Sequence, residues 1–131
     1  MVHKTFQNSS WNPLVNTIID GILEKKGFDI KVLDLRQIPN SITNFFIICS
    51  GSSDTQNSAI YDSVKKFTTE RLNEKPWKTE GLRRAEWIIM DYVNVVVHIF
   101  LPRVREYYKL EELWGDAQIT EIEEGKMRIL T

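Results

Sequence analysis

The sequence predicts a single α/β domain built on a mixed five-stranded sheet with helices mainly on one face. Three observations lead there. The chain has 131 residues, enough for one domain with one core. Its composition, 42% hydrophobic and 27% charged, is that of an ordinary globular protein. Apolar stretches of helical period and short β-branched or aromatic runs follow one another in the order α-β-β-α-β-β-β-α, which favours a partly antiparallel sheet with helices packed on one side. Such a layout can leave the other side of the sheet free for a partner.

Asn12-Pro13 opens the first helix, with Asn as cap and Pro at the first helical position, where its missing N–H is not needed. Leu14, Val15, Ile18, Ile19, Ile22 and Leu23 form one apolar stripe, and Gly27 ends the helix after Lys25 and Lys26. Ile30 to Leu35 reads as a strand, and Pro39-Asn40-Ser41 breaks the chain. Phe45 to Cys49, apolar on both faces, reads as a central strand. Ser53 and Gln56 have capping-box spacing at the start of a helix that runs to about Asn73. Pro76 to Gly81 is expected to form a short strand and turn, followed by strands Glu86–Asp91 and Val95–Leu101. Pro102 stops the last of these, and Arg103–Tyr108 and Leu110–Trp114 read as two short helical turns. Residues 1–12 are expected to be flexible, residues 13–117 to form the domain and residues 118–131 to be a loosely held, charged tail.

With Val93-Asn94 as the turn, Asp91 opposes Val96, Ile89 opposes His98 and Trp87 opposes Phe100. One face of this hairpin then carries Ile88, Met90, Val97, Ile99 and Leu101, a composition suited to a helix-covered core. The other carries Trp87, Ile89, Asp91, Val96, His98 and Phe100. This mixed face is either solvated, or covered by Leu110, Leu113 and Trp114 folding back, or a binding surface with an aromatic anchor in a polar ring.

Catalytic and metal chemistry find little footing. Two histidines and the single Cys49 cannot build a closed zinc site, and one cysteine excludes a disulfide framework. The Gly-x-Ser-x-Gly elbow is absent, and Cys49 lies in an apolar strand, where a thiol is inert. Gly51-Ser52-Ser53 stands between a strand and a helix start, a place where anions can bind, yet the phosphate-loop and dinucleotide motifs are missing. The acids that follow, Asp54 and Asp62, fall in the helical segment, so the metal-binding carboxylate pair of a nucleotidyltransferase is absent too. No cofactor is expected. A formal net charge of −1, without a basic stripe, argues against direct, specific nucleic-acid recognition. No run approaches the ~20 apolar residues of a membrane span, and residues 1–10 contain no secretory apolar core, so a cytoplasmic location is expected.

Several segments in series resemble the ribosomal silencing factor (RsfS, Iojap) family. They are Asp29–Arg36, the run Ser41–Gln56 ending in Ser-Gly-Ser-Ser-Asp-Thr-Gln, Glu80-Gly81, Trp87–Asp91, Val95–Phe100 and Leu110–Asp116. The resemblance covers roughly Pro13 to Ala117, and Tyr-x-Leu-Glu-x-Leu-Trp, from Tyr108 to Trp114, is its most specific part. It implies a nucleotidyltransferase-like but non-catalytic fold. The implied function is binding to the large ribosomal subunit through its fourteenth protein, which blocks subunit joining and lowers translation. The family's partner-binding tryptophan falls on Trp87 and its acid before the glycine turn on Glu80. Glu86, Asp91, Ile89, Tyr92, His98 and Phe100 complete the expected patch, whose acids suit a basic partner. The hairpin turn departs from the family, with Val93-Asn94 where glycine is usual. Two rival readings are a nucleotide-binding enzyme using the Ser50–Asp54 turn and a homodimer formed through the open hairpin face.

Overall fold

The Asn12 side chain accepts a hydrogen bond from the Leu14 amide at 2.9 Å, so the first helix, α1 (Pro13–Glu24), starts where its cap predicts. The structure, a computed structural model, describes residues 6–123 and 126–130. Val15, Ile18, Ile19 and Ile22 of α1 are wholly buried. The second helix, α2 (Asp54–Leu72), lies against α1, and Gly21 makes this possible: a Cβ there would come within 2.8 Å of Val64 Cα. At the same crossing the Ser63 hydroxyl donates to the Gly21 carbonyl at 2.8 Å.

The strands are β1 (Phe28–Asp34), β2 (Phe45–Ser50), β3 (Lys78–Glu80), β4 (Trp87–Asp91), β5 (Val95–Phe100), β6 (Gln118–Glu123) and β7 (Lys126–Ile129). They form one sheet in the order β3-β4-β5-β2-β1-β6-β7, in which β2 and β5 run parallel and every other pair antiparallel. Helices α1 and α2 cover one face, where Ile47, Cys49, Ile88, Met90, Val97 and Ile99 meet the α1 stripe in the main core. On the other face Leu33, Phe46, Ile48 and Phe100 form a smaller cluster. A short helix, α3 (Pro102–Tyr108), and a 3-10 turn, Leu110–Trp114, lie over it.

Two expectations need correction. The sheet has seven strands among the described residues, not five, because residues expected to be a loose tail form β6 and β7. Strand β6 pairs with β1 from Ile30↔Ile122 to Asp34↔Gln118, and Thr120 and Ile122 are buried. Its polar residues hid the alternation, whereas the unpaired amides of β1 supply the driving force for pairing. Nor is the start of the chain free from Phe6 onward: Phe6 and Trp11 are core residues, and the Phe6 amide donates to Asp20 Oδ1 at 2.7 Å.

The hairpin register is the predicted one: Trp87↔Phe100, Ile89↔His98 and Asp91↔Val96. Val93 takes φ +75°, a conformation that β-branched residues rarely adopt. Its neighbours hold it there. Its amide donates to Asp91 Oδ1 at 2.7 Å, the Asn94 amide donates to the Tyr92 carbonyl at 3.0 Å, and the Thr43 hydroxyl donates to the Val93 carbonyl at 3.0 Å.

Candidate functional site

The side chains of Trp87, Ile89 and Asp91 alternate with the buried Ile88 and Met90 and so lie on the face away from α1 and α2. Strand β3 extends this face at the sheet edge: Glu80 lies beside Ile89 and Lys78 beside Asp91. Towards the middle of the sheet the surface becomes aromatic. Trp87 stacks on Phe100, its cross-strand neighbour, with ring centres 4.8 Å apart. Tyr108, from α3, meets Trp87 at 4.8 Å, and Tyr107 meets Tyr108 edge-on at 4.9 Å. Beneath them His98 touches Phe46 edge-on at 5.1 Å, and Phe46 in turn touches Trp114 at 5.6 Å. A continuous aromatic ladder thus runs from solvent at Tyr107 to the underside of the 3-10 turn.

The structure sorts the eight expected partner-binding residues into three groups. Glu80, Glu86, Trp87, Ile89 and Asp91 are exposed or half-buried on this face and its rim. His98, 6% exposed, and Phe100, fully buried, form its floor. Tyr92 is not on this face. It packs in the helix-covered core, where its hydroxyl lies 2.9 Å from Thr68 Oγ1 and burial pushes its pKa up to about 12. The alternation of the strand already puts it there, since Tyr92 shares the parity of Ile88 and Met90, and its place in the expected patch is corrected accordingly.

The sequence reading passed over Tyr107 and Tyr108 as site residues. Tyr107 is 79% and Tyr108 52% exposed. The signal was the four-residue spacing of Val104 and Tyr108, which turns both towards the sheet once the segment is a helix. Leu110 and Trp114 do fold back over the sheet, but Leu113 points outward at 71% exposure. The mixed hairpin face is therefore half covered and half open, with the border at Trp87.

Exposed ion pairs rim the patch: Glu86 with Arg103 at 2.9 Å and Glu80 with Lys78 at 3.2 Å. Such pairs are weak and can exchange for a partner's charges. The face has little equipment for chemistry. Burial pushes the Cys49 thiol up to about 12, and burial also holds His98 down at about 4. No cluster of His, Cys, Asp and Glu that could hold a metal occurs among the described residues, and no helix there is long and apolar enough to cross a membrane.

The Ser50–Asp54 turn has a structural task instead. The Gln56 carboxamide accepts from the Ser52 amide at 2.7 Å and donates to the Lys25 and Lys26 carbonyls, which ties the start of α2 to the end of α1. Ser53 Oγ accepts from the Gln56 amide at 3.0 Å, and Asp54 Oδ1 accepts from the Thr55 amide at 2.7 Å. A Cβ at Gly51 would collide with Asn57 Oδ1, so glycine lets Asn57 reach the Ala85 carbonyl at 2.8 Å. The amides of Gly51, Ser52, Thr55 and Gln56 are thus already engaged within the protein, and Asp54 would repel a phosphate.

A family profile described as "Ribosomal silencing factor during starvation" matches residues 8–129. The chain belongs to this RsfS family. A ribosomal silencing factor from Halalkalibacterium halodurans is 37% identical over 110 residues, spanning 84% of this chain and 92% of the relative. One from Bacillus subtilis is 38% identical over 102 residues, 78% and 85% of the respective chains. A crystal structure of a Chromobacterium violaceum protein, 34% identical, superposes with a TM-score of 0.74 over 79% of this chain and 84% of that one. The RsfS match extends through β6 to β7, so both strands lie inside the family's domain. RsfS proteins are named as silencing factors of the ribosome, regulators rather than enzymes.

Proposed function

We propose that this protein binds the large ribosomal subunit through that subunit's fourteenth protein and, by occupying the surface, blocks subunit joining and represses translation. The observation that carries this reading is the open half of the hairpin face, where Trp87, Tyr107 and Tyr108 form an aromatic patch beside Glu80, Glu86 and Asp91. Aromatic anchors within a polar rim are the composition of an interface hot spot, and the acids suit a basic ribosomal protein. The reading includes a nucleotidyltransferase-like fold without catalysis, supported by the strand–Ser-Gly-Ser–helix arrangement of β2 and α2. The cytoplasm, where ribosomal subunits meet, is the site of action in this reading. Self-association would use the same patch, since the exposed Tyr107 and Tyr108 can meet their copies, and it would compete with subunit binding.

Co-sedimentation with isolated large and small subunits tests the proposal. The wild-type protein is expected in the large-subunit pellet only. Tyr107→Ala, which removes an exposed ring, is expected to lower affinity with an unchanged melting temperature. Trp87→Ala is expected to cost about 2 kcal/mol or more of binding, together with some stability from the lost Phe100 stack. Undiminished binding by both folded variants would remove this patch from consideration.

A further inference from the structure

Trp87 has one polar atom, and that atom is turned inward. Its indole N–H donates to His98 Nδ1 at 3.0 Å, along the diagonal between β4 and β5. The indole nitrogen can only donate, so Nδ1 accepts and the imidazole proton sits on Nε2. Nε2 is buried and has no hydrogen-bond partner among the described residues. A buried N–H left in that state is costly, which makes the orientation of the ring informative. Rotating the imidazole to pair Nε2 instead would give up the Trp87 bond, and the edge-on contact with Phe46 at 5.1 Å restrains that motion. His98 thus spends its one acceptor on the half-exposed tryptophan of the open face.

We propose that His98 is the positioning residue of the binding patch: it fixes the Trp87 indole in one orientation before a partner arrives. The proposal rests on the function assigned above. Three contacts define the ring, which are the Phe100 stack below, Tyr108 on the α3 side and the hydrogen bond to His98. Of these, only the hydrogen bond sets the direction of the indole within its plane. An anchor ordered in advance loses less freedom on binding. The chemistry the partner must bring also follows. With the indole N–H used internally, the patch offers the partner ring surface from Trp87 and Tyr108, with carboxylates at the rim. It suits aliphatic stems and guanidinium or ammonium groups rather than a hydrogen-bond acceptor aimed at the indole.

The test uses the full-length, nitrogen-15-labelled protein with two variants, His98→Phe and His98→Asn. Phenylalanine keeps the ring and its packing on Phe46 but cannot accept from the indole. Asparagine places its Oδ1 close to where Nδ1 stands. The readouts are hydrogen exchange of the Trp87 indole N–H, assigned with Trp87→Phe, and affinity for large subunits. The wild-type indole proton is expected to be protected from exchange. In His98→Phe that protection is expected to be lost and affinity to fall by about tenfold, as removal of one hydrogen bond allows, at a near-native melting temperature. His98→Asn is expected to recover both. Unprotected exchange in the wild type overturns the proposal without any variant having to fold. So does full affinity in a folded His98→Phe protein. If wild-type protein fails to bind large subunits at all, the proposed function falls, and indole exchange across the three proteins still decides whether His98 fixes Trp87.

Discussion

His98 also gives the fold a pH dependence whose sign can be worked out. Burial lowers its folded-state pKa from 6.5 to about 4. Above pH 6.5 the ring is neutral in both folded and unfolded chains and contributes no pH dependence. Between pH 6.5 and 4 the unfolded chain takes up a proton that the folded one refuses, so stability falls as pH falls. The loss levels off near pH 4, where the folded ring protonates as well, and amounts to about 3 kcal/mol. Protonated Nδ1 can no longer accept from Trp87, so the same proton that burial excludes would also release the anchor. Denaturant unfolding at pH 7.5 and 4.5 checks this: the stability difference between the two pH values should be about 3 kcal/mol smaller in His98→Phe than in the wild type. Equal differences in the two proteins would show that other groups carry the dependence.

Among the elements, the lid made by α3 and the 3-10 turn decides how much of the aromatic face reaches solvent. Besides its apolar and aromatic packing, it is pegged to the sheet by Arg105. This buried guanidinium donates to the Asp29 carbonyl at 2.7 Å, to Ser50 Oγ at 2.9 Å and to Glu111 Oε1 at 3.3 Å. Asp29 presents its carbonyl there because β1 breaks register between Phe28 and Lys31 and Asp29 takes φ +50°. The peg thus joins α3 and the 3-10 turn to the ends of β1 and β2. Arg105→Met keeps most of the side chain's volume but strands two acceptors and Glu111. It is expected to destabilise the fold by about 3 kcal/mol. Near-ultraviolet circular dichroism should also change, because Tyr108 and Trp114 lose their fixed places. An unaltered aromatic spectrum would mean that packing of Val104 and Leu110 suffices to hold the lid.

At the scale of the whole molecule, β6 closes one side of the sheet. It shields the backbone edge of β1 and buries Ile122 in the main core. Removing residues 118–131 would expose that edge and is expected to lower stability by at least about 3 kcal/mol and to promote aggregation, since an open edge is a template for another chain. Thermal unfolding with light scattering measures both. A truncated protein that melts like the full chain and stays monodisperse would mean that β6 is dispensable. This test separates the observed seven-stranded sheet from the five-stranded one that the sequence suggested.

The sequence by itself determined the elements whose signals are local. Asn12-Pro13 set the start of α1, Ser53 and Gln56 the start of α2, and strict alternation the register and faces of β4 and β5. It also carried the family resemblance and, through missing motifs, the expectation of contact rather than catalysis. The tertiary structure alone decided what depends on distant partners. Strand β6 exists because β1 has unpaired amides, although its own sequence is polar. Alternation puts Tyr92 on the side of Met90, but only the packing of α2 brings Thr68 to within 2.9 Å of its hydroxyl. Tyr107 and Tyr108 join the patch because Arg105 places α3 across the sheet. Local periodicity can say which side chains share a face. Only long-range packing decides which face is covered, and here that leaves Trp87 half open, fixed from below by His98.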